Sequence, residues 1–261
     1  MIKAIRELIK YRELLLIITW RDIHVKYKQS VMGFMWAIFM PMLIIITGTI
    51  VRIGIAKLSG AHMDITQVLS VSVKAVPWAF FISSITFSTN SLVGNFNLIT
   101  KIYFPKEIFP LSAVLSQLFD FMIASGALVA FMIAVRIGAS VHLVWVLPLV
   151  LLLVLHAITL GIFLSAANLF FRDVKYLVSV ITSFAIFFTP VFYDASMAGK
   201  WEPVLMLNPI APILEGLNAC IVLHQDPKWY WILYSTMVAV LGVYLAMVFF
   251  KNLESKFAES I

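Results

Sequence analysis

Six long apolar runs, each near the ~20 residues needed to cross a hydrocarbon core, alternate along the chain with short polar or basic stretches. They cover residues 31–51, 76–98, 109–135, 141–171, 176–193 and 229–250, and Pro41 inside the first predicts a kink there. Ahead of them, Ile2, Ile5, Leu8 and Ile9 recur at helical spacing opposite Lys3, Arg6, Glu7 and Lys10. Residues 1–30 are therefore expected to form an amphipathic helix lying in the membrane interface. Residues 194–228 are apolar but interrupted by Asn208, Pro209, Pro212, Glu215, Gly216 and Asn218. A single spanning helix does not fit them. Two short re-entrant helices dipping from the outer face do, because irregular backbone at membrane depth is tolerated where protein or a water-filled cavity receives it. The expected fold is all-α and polytopic: six transmembrane helices in a single domain over 1–261, with loops too short to hold a second one.

One interruption organises the rest. Residues 95–110, NFNLITKIYFPKEIFP, are too charged to stay in lipid and too short to be a domain. Pro105 and Pro110 stop one helix from running through, because each lacks a backbone donor and its ring clashes with the preceding turn. Leu98, Ile99, Ile102, Tyr103 and Phe104 alternate there with Thr100, Lys101, Lys106 and Glu107, so 98–108 reads as an amphipathic segment able to meet a soluble partner.

Composition agrees with a membrane protein: 62% of the residues are hydrophobic and 12% charged, against the roughly 45–50% apolar of a soluble domain. The net charge of +6 comes from basic residues beside the apolar runs, where they set topology and meet anionic lipid rather than nucleic acid. In the six-helix arrangement, thirteen of the 19 Lys and Arg fall on the side holding both termini and the central turn, and six on the other. Both termini are thus expected in the cytoplasm. No signal peptide is apparent, since the apolar run 14–20 is short and flanked by charge. The single cysteine, Cys220, excludes an internal disulfide.

Catalytic chemistry is hard to find. There is no Gly-rich loop ending in Lys-Ser/Thr, no HExxH and no acidic metal cluster, so no catalytic or metal residue is assigned. Energy must come from an ion gradient or from another subunit. For an ion-coupled secondary transporter the candidates are Asp120, with Gln117 and Ser116 nearby, and His156; a buried Asp bonded to a neighbouring helix and a packing His explain the same residues. A transferase acting on polyprenyl lipids would need the missing acidic motif. In the second run, Ser84, Ser88, Ser91 and Asn95 line one helical face, flanked by Phe80, Phe81 and Phe87. Hydroxyls beside rings suit a carbohydrate, and they suit plain helix packing equally well. Trp36 and Phe39, with Phe184, Phe187, Phe188 and Phe192, can extend such an aromatic lining.

The segments WRDIHVKYKQSVMGFMWAIFMPML, VPWAFF, NSLVGNFNLITKIYFPKEIFPLSAVLSQLFDF, FRDVKYLV, TPVFYDASM and LNPIAPILEG, in this order over nearly the whole chain, resemble the membrane permease subunit of ABC exporters of lipid-linked cell-surface polysaccharides such as O-antigen, capsule and teichoic acid. The resemblance implies a homodimer in the bacterial inner membrane joined to two cytoplasmic ATP-binding subunits, which would carry the ATP and Mg; this chain itself would hold no cofactor. It implies roles for three segments: 1–30 as the interfacial helix, 98–108 as the coupling segment and 194–228 as an exit gate. On that reading Leu98, Lys101, Tyr103, Phe104, Lys106 and Glu107 meet the ATPase. Arg21, Lys26 and Lys28 face the diphosphate of an undecaprenyl-linked glycan, O-antigen foremost, or else simply anchor the chain by positive charge. Trp36, Phe80, Ser84, Phe87, Ser88 and Ser91 line the conduit, with Phe192 and Tyr193 nearer the outer gate.

Overall fold

The computed structural model of the protein describes residues 2–28, 32–59, 64–101, 104–254 and 257. Among these the regular elements are all helical. The amphipathic N-terminal stretch forms α1 (Ile2–Lys10) and α2 (Arg12–Lys28), joined through Tyr11, whose N–H still reaches Glu7 O at 3.0 Å. Then follow α3 (Met35–Ser59), α4 (Ile65–Gly94), the short α5 (Phe96–Lys101), α6 (Ile108–Ala134), α7 (Val146–Phe170), α8 (Val174–Ala185), α9 (Glu202–Met206), α10 (Ala211–Ile221) and α11 (Trp229–Glu254). Single 3₁₀ stretches, Val141–Trp145 and Ala195–Trp201, precede α7 and α9. Among the described residues five helices are long and apolar enough to cross a membrane.

Among the boundaries that differ from the hydropathy pattern, two have a clear physical reason, while α3 simply runs on to Ser59 past the expected end at 51. The second run becomes a helix that starts at Ile65 rather than at 76, capped by Asp64, whose carboxylate accepts the Ile65 N–H at 2.7 Å. Lys74 made the earlier turns look like a loop, but it is fully buried and neutralised by carboxylates from elsewhere in the chain. The fifth run, expected as a span over 176–193, is helical only to Ala185 and continues as turns. Pro190 explains the break: its ring clashes with the carbonyl of residue 186 and it cannot donate. Thr189 Oγ1 instead donates to Ala185 O at 2.8 Å.

Helix α4 is the central element. It packs against α6 and α7, and also meets α3, α8 and α10, while α7 carries α11 on another side and α2 lies along α6. In its most apolar window 83% of residues are buried, against 11–33% for the other long helices. The exposed flanks of those others are apolar, as a lipid-facing or partner-facing surface requires. The close approach of α4 and α7 depends on Gly161, where a Cβ would lie 2.9 Å from both Cβ and Oγ of Ser88. Gly161→Leu is therefore expected to force the two helices apart at a cost of about 1–3 kcal/mol. A lowered unfolding midpoint in detergent checks this, with Gly126→Ala, at a glycine with open space around it, expected to behave like the parent.

Candidate functional site: an aromatic groove and two charged ends

Helices α2, α3, α4 and α6 enclose a groove with an aromatic interior and a polar mouth. The inner part, about 270 Å³, is lined by Lys26, Trp36, Phe80, Phe87, Gln117 and Asp120 among others. The outer part, about 560 Å³, is lined by Arg21, Asp22, Lys26, Phe87, Ser91 and Asn95. Lys26, Phe87 and Gln117 border both, so the two are continuous. Residues predicted as conduit and residues predicted as diphosphate contacts thus meet in one place. The Lys26 ammonium stands 5.0 Å from the centroid of the Phe87 ring, within reach of a cation–π attraction.

The cations at the mouth are already engaged. Lys26 pairs with Asp120 and donates to Gln117 Oε1 at 3.1 Å. The Tyr27 hydroxyl donates to the other Asp120 oxygen, and burial together with that carboxylate pushes its pKa up. Arg21 Nη2 donates to Asp22 Oδ1 and to Asn95 Oδ1, both at 2.7 Å, tying α2 to the end of α4. Lys28 is exposed. Asp120 is thereby explained as the partner of α2, and His156 by its contact with Ser235 Oγ at 3.0 Å.

The hydroxyl and aromatic residues of α4 divide between groove and core. Phe87 is 49% exposed and Trp36 40%, whereas Phe80 is 4% exposed and packs on Phe121 at 5.2 Å. Ser84 and Ser88 are fully buried, with Ser88 Oγ donating to Pro110 O at 3.2 Å. Ser91 is part-exposed and its hydroxyl donates to Ser88 O at 2.7 Å. What reaches the groove is therefore Trp36, Phe87 and Ser91, with Phe80 forming its floor.

At the central turn, the apolar side is covered within the chain. Ile99 and Phe104 pack with Leu92, Phe109, Phe250 and Phe257 in a compact cluster, and Phe104 meets Phe109 edge-on at 5.5 Å. Glu107, 1% exposed, has the Lys251 ammonium at 2.8 Å as its counter-charge. The Lys106 ammonium lies 5.4 Å from the Phe257 ring. Leu98 is half-buried and Lys101 exposed, while Tyr103 lies outside the described residues.

At the far end of α3 and α4, about 30 Å from that turn by helical rise, lies a second charged cluster that the hydropathy pattern did not reveal. Arg52 pairs with Asp194 and donates from Nε to Phe192 O at 3.0 Å. Lys74 donates to Tyr193 O at 2.7 Å and Asp194 Oδ1 at 2.8 Å, and pairs with Glu215 at 3.3 Å. Glu215 in turn accepts the Ala195 N–H at 3.1 Å, and Ser70 Oγ donates to Asp194 at 3.1 Å. Burial raises the Asp194 pKa, but Lys74 and Arg52 outweigh it and leave the group below its ordinary value. Its ionisation thus favours the folded state at neutral pH, an advantage lost as pH falls through the carboxylate range. The available signal was charge inside apolar sequence: Arg52 and Lys74 border predicted spans, and Glu215 interrupts an apolar stretch.

The family model described as "ABC-2 type transporter" matches residues 13–222. Among curated relatives, an "O-antigen export system permease protein RfbA" of Klebsiella pneumoniae is 30% identical over 252 residues, covering 95% of this chain and 94% of that protein. A protein of the same name from Myxococcus xanthus is 25% identical over 264 residues, covering 100% of both.

Proposed function

The chain belongs to the ABC-2 type transporter family, and from that premise we propose that it is the channel-forming permease of an ATP-driven exporter that moves an undecaprenyl-diphosphate-linked polysaccharide, O-antigen foremost, out of the bacterial cytoplasm. The observation that carries this reading is the similarity to O-antigen export permeases along almost the full length of both chains. As a membrane transport subunit it leaves ATP hydrolysis, with its Mg, to a separate subunit.

On this reading two copies stand side by side in the inner membrane with both termini cytoplasmic, and two ATP-binding subunits dock beneath them. The sixth crossing in each copy is made by α8 with the turns that follow it, and α9 and α10 are the re-entrant pair at the outer face. The groove supports the substrate class: its basic and amide mouth suits a diphosphate and its rings suit sugar faces. Arg21 and Lys26 serve the headgroup by exchanging Asp22 and Asp120 for it, and exposed Lys28 adds attraction at the surface. A sliding polymer needs many weak contacts rather than one deep pocket, since conduction requires binding that is favourable to enter and weak enough to leave.

Among the described residues of the coupling segment, Lys101 is left open to a partner, while Phe104 and Glu107 transmit its movement to α6 and α11. A cysteine at Lys101 is expected to crosslink to the ATPase subunit in the assembled complex; crosslinks confined to this same chain would remove the segment from the coupling role. The function itself is tested in proteoliposomes. Export of lipid-linked O-antigen should require this chain, the ATPase subunit and ATP together, and ATP turnover by the purified chain alone, or export without nucleotide, would refute the reading.

A further inference from the structure

The turn at 192–195 is held shut by the charged cluster more tightly than a loop between helices requires. Its two consecutive carbonyls, Phe192 O and Tyr193 O, are bound by Arg52 and Lys74, and the carboxylate of Asp194 bridges both cations. These contacts join α3, α4 and, through Glu215, α10. The Phe192 ring is 6% exposed and wedged on α3 where Gly48 leaves room; a Cβ there would come within 2.6 Å of the ring. In this arrangement Phe192 cannot touch a passing polymer.

We propose that Asp194 is a positioning residue whose two-cation clasp latches the 192–195 turn onto α3 and α4, and that the clasp must release for polymer to leave. The inference rests on the proposed orientation, which puts this turn on the outer side. Ion pairs suit a latch that opens beside a hydrating path. Arg52 and Lys74 are buried while the Asp194 side chain is 31% exposed, so both cations are costly to separate from their carboxylate; once more water enters, the same pairs weaken and the freed charges are solvated. An apolar latch would lack this response to water.

The test uses the assembled complex, with Cys220→Ser as background because Cys220 is the only native cysteine. Gly48→Cys with Phe192→Cys leaves Asp194 and its two cations in place and puts a potential disulfide between α3 and the same turn, where a Cβ at position 48 would lie 2.6 Å from the Phe192 ring. Oxidation is expected to abolish polysaccharide export and reduction to restore it. Unchanged export with the disulfide fully formed would overturn the proposal, because the clasp would then be a static brace. Should the pair fail to assemble or to crosslink, Asp194→Asn removes the charge and keeps the shape. It is expected to let small ions leak from proteoliposomes without ATP, and a leak no greater than the parent's would also overturn it. Labelling of a lone Asp194→Cys by a membrane-impermeant maleimide decides orientation separately. Reaction from outside the cell supports the exit-side assignment, and reaction only from the cytoplasm overturns it whatever the disulfide does.

Discussion

Replacing Lys74 by Met is expected to destabilise the folded chain by about 3–5 kcal/mol, the range seen when one partner of a buried ion pair is removed. Lys74 is fully buried, and its ammonium faces Asp194, Glu215 and the Tyr193 carbonyl. Without it, Glu215 loses its only cation among the described contacts, while Asp194 keeps Arg52. The loss therefore falls mainly on the junction between α4 and α10. Lys74→Met combined with Glu215→Met is expected to recover a good part of it, because removing both charges also removes the cost of keeping them dry. Unfolding midpoints of the three proteins in detergent check this. Additive losses in the double variant would mean that the two residues act independently.

The second large effect concerns transport rather than stability. Trp36→Ala with Phe87→Ala is expected to reduce surface polysaccharide about tenfold or more, since two ring contacts of ~0.5–1.5 kcal/mol each are lost. Both residues are substantially exposed to the groove, so assembly and basal ATP hydrolysis of the complex should be retained. Phe80→Ala is the contrasting case. Its ring is buried against Phe121, and truncating it is expected to cost about 3–5 kcal/mol of stability, so a transport defect in that variant would report packing. Parent-level polysaccharide in the Trp36 and Phe87 double variant would show that the groove does not carry the glycan.

The 3.6-residue stripe on α4 shows where reading from sequence stops. Ser84, Ser88, Ser91 and Phe87 do share a helix, yet spacing could not say which angular sector faces the groove and which faces α7. Ser88 is turned into the bundle because α7 offers Gly161 at that level. Phe87, one residue earlier and rotated by about 100°, emerges into the groove. The central turn repeats the lesson. Its amphipathic pattern was legible, but the partner for its apolar side proved to be the C-terminal end of the same chain, through Phe250 and Phe257.

From sequence alone came the membrane class, five of the six expected spans, the helical character of the N-terminal stretch, the interruption at 95–110 and the family. These depend on local hydropathy and on backbone limits at proline, which act over one or two turns and so are written in consecutive residues. The tertiary structure decided the rest: that Lys74 lies inside a helix, that Asp120 belongs to Lys26 and Tyr27, and that Asp194 joins Arg52 to Lys74. A charge in an apolar run is costly or tolerable according to a partner that can be more than a hundred residues away, as Asp194 is from both Arg52 and Lys74. Hydropathy assigns each residue a transfer cost on its own, and only packing brings the compensating charge.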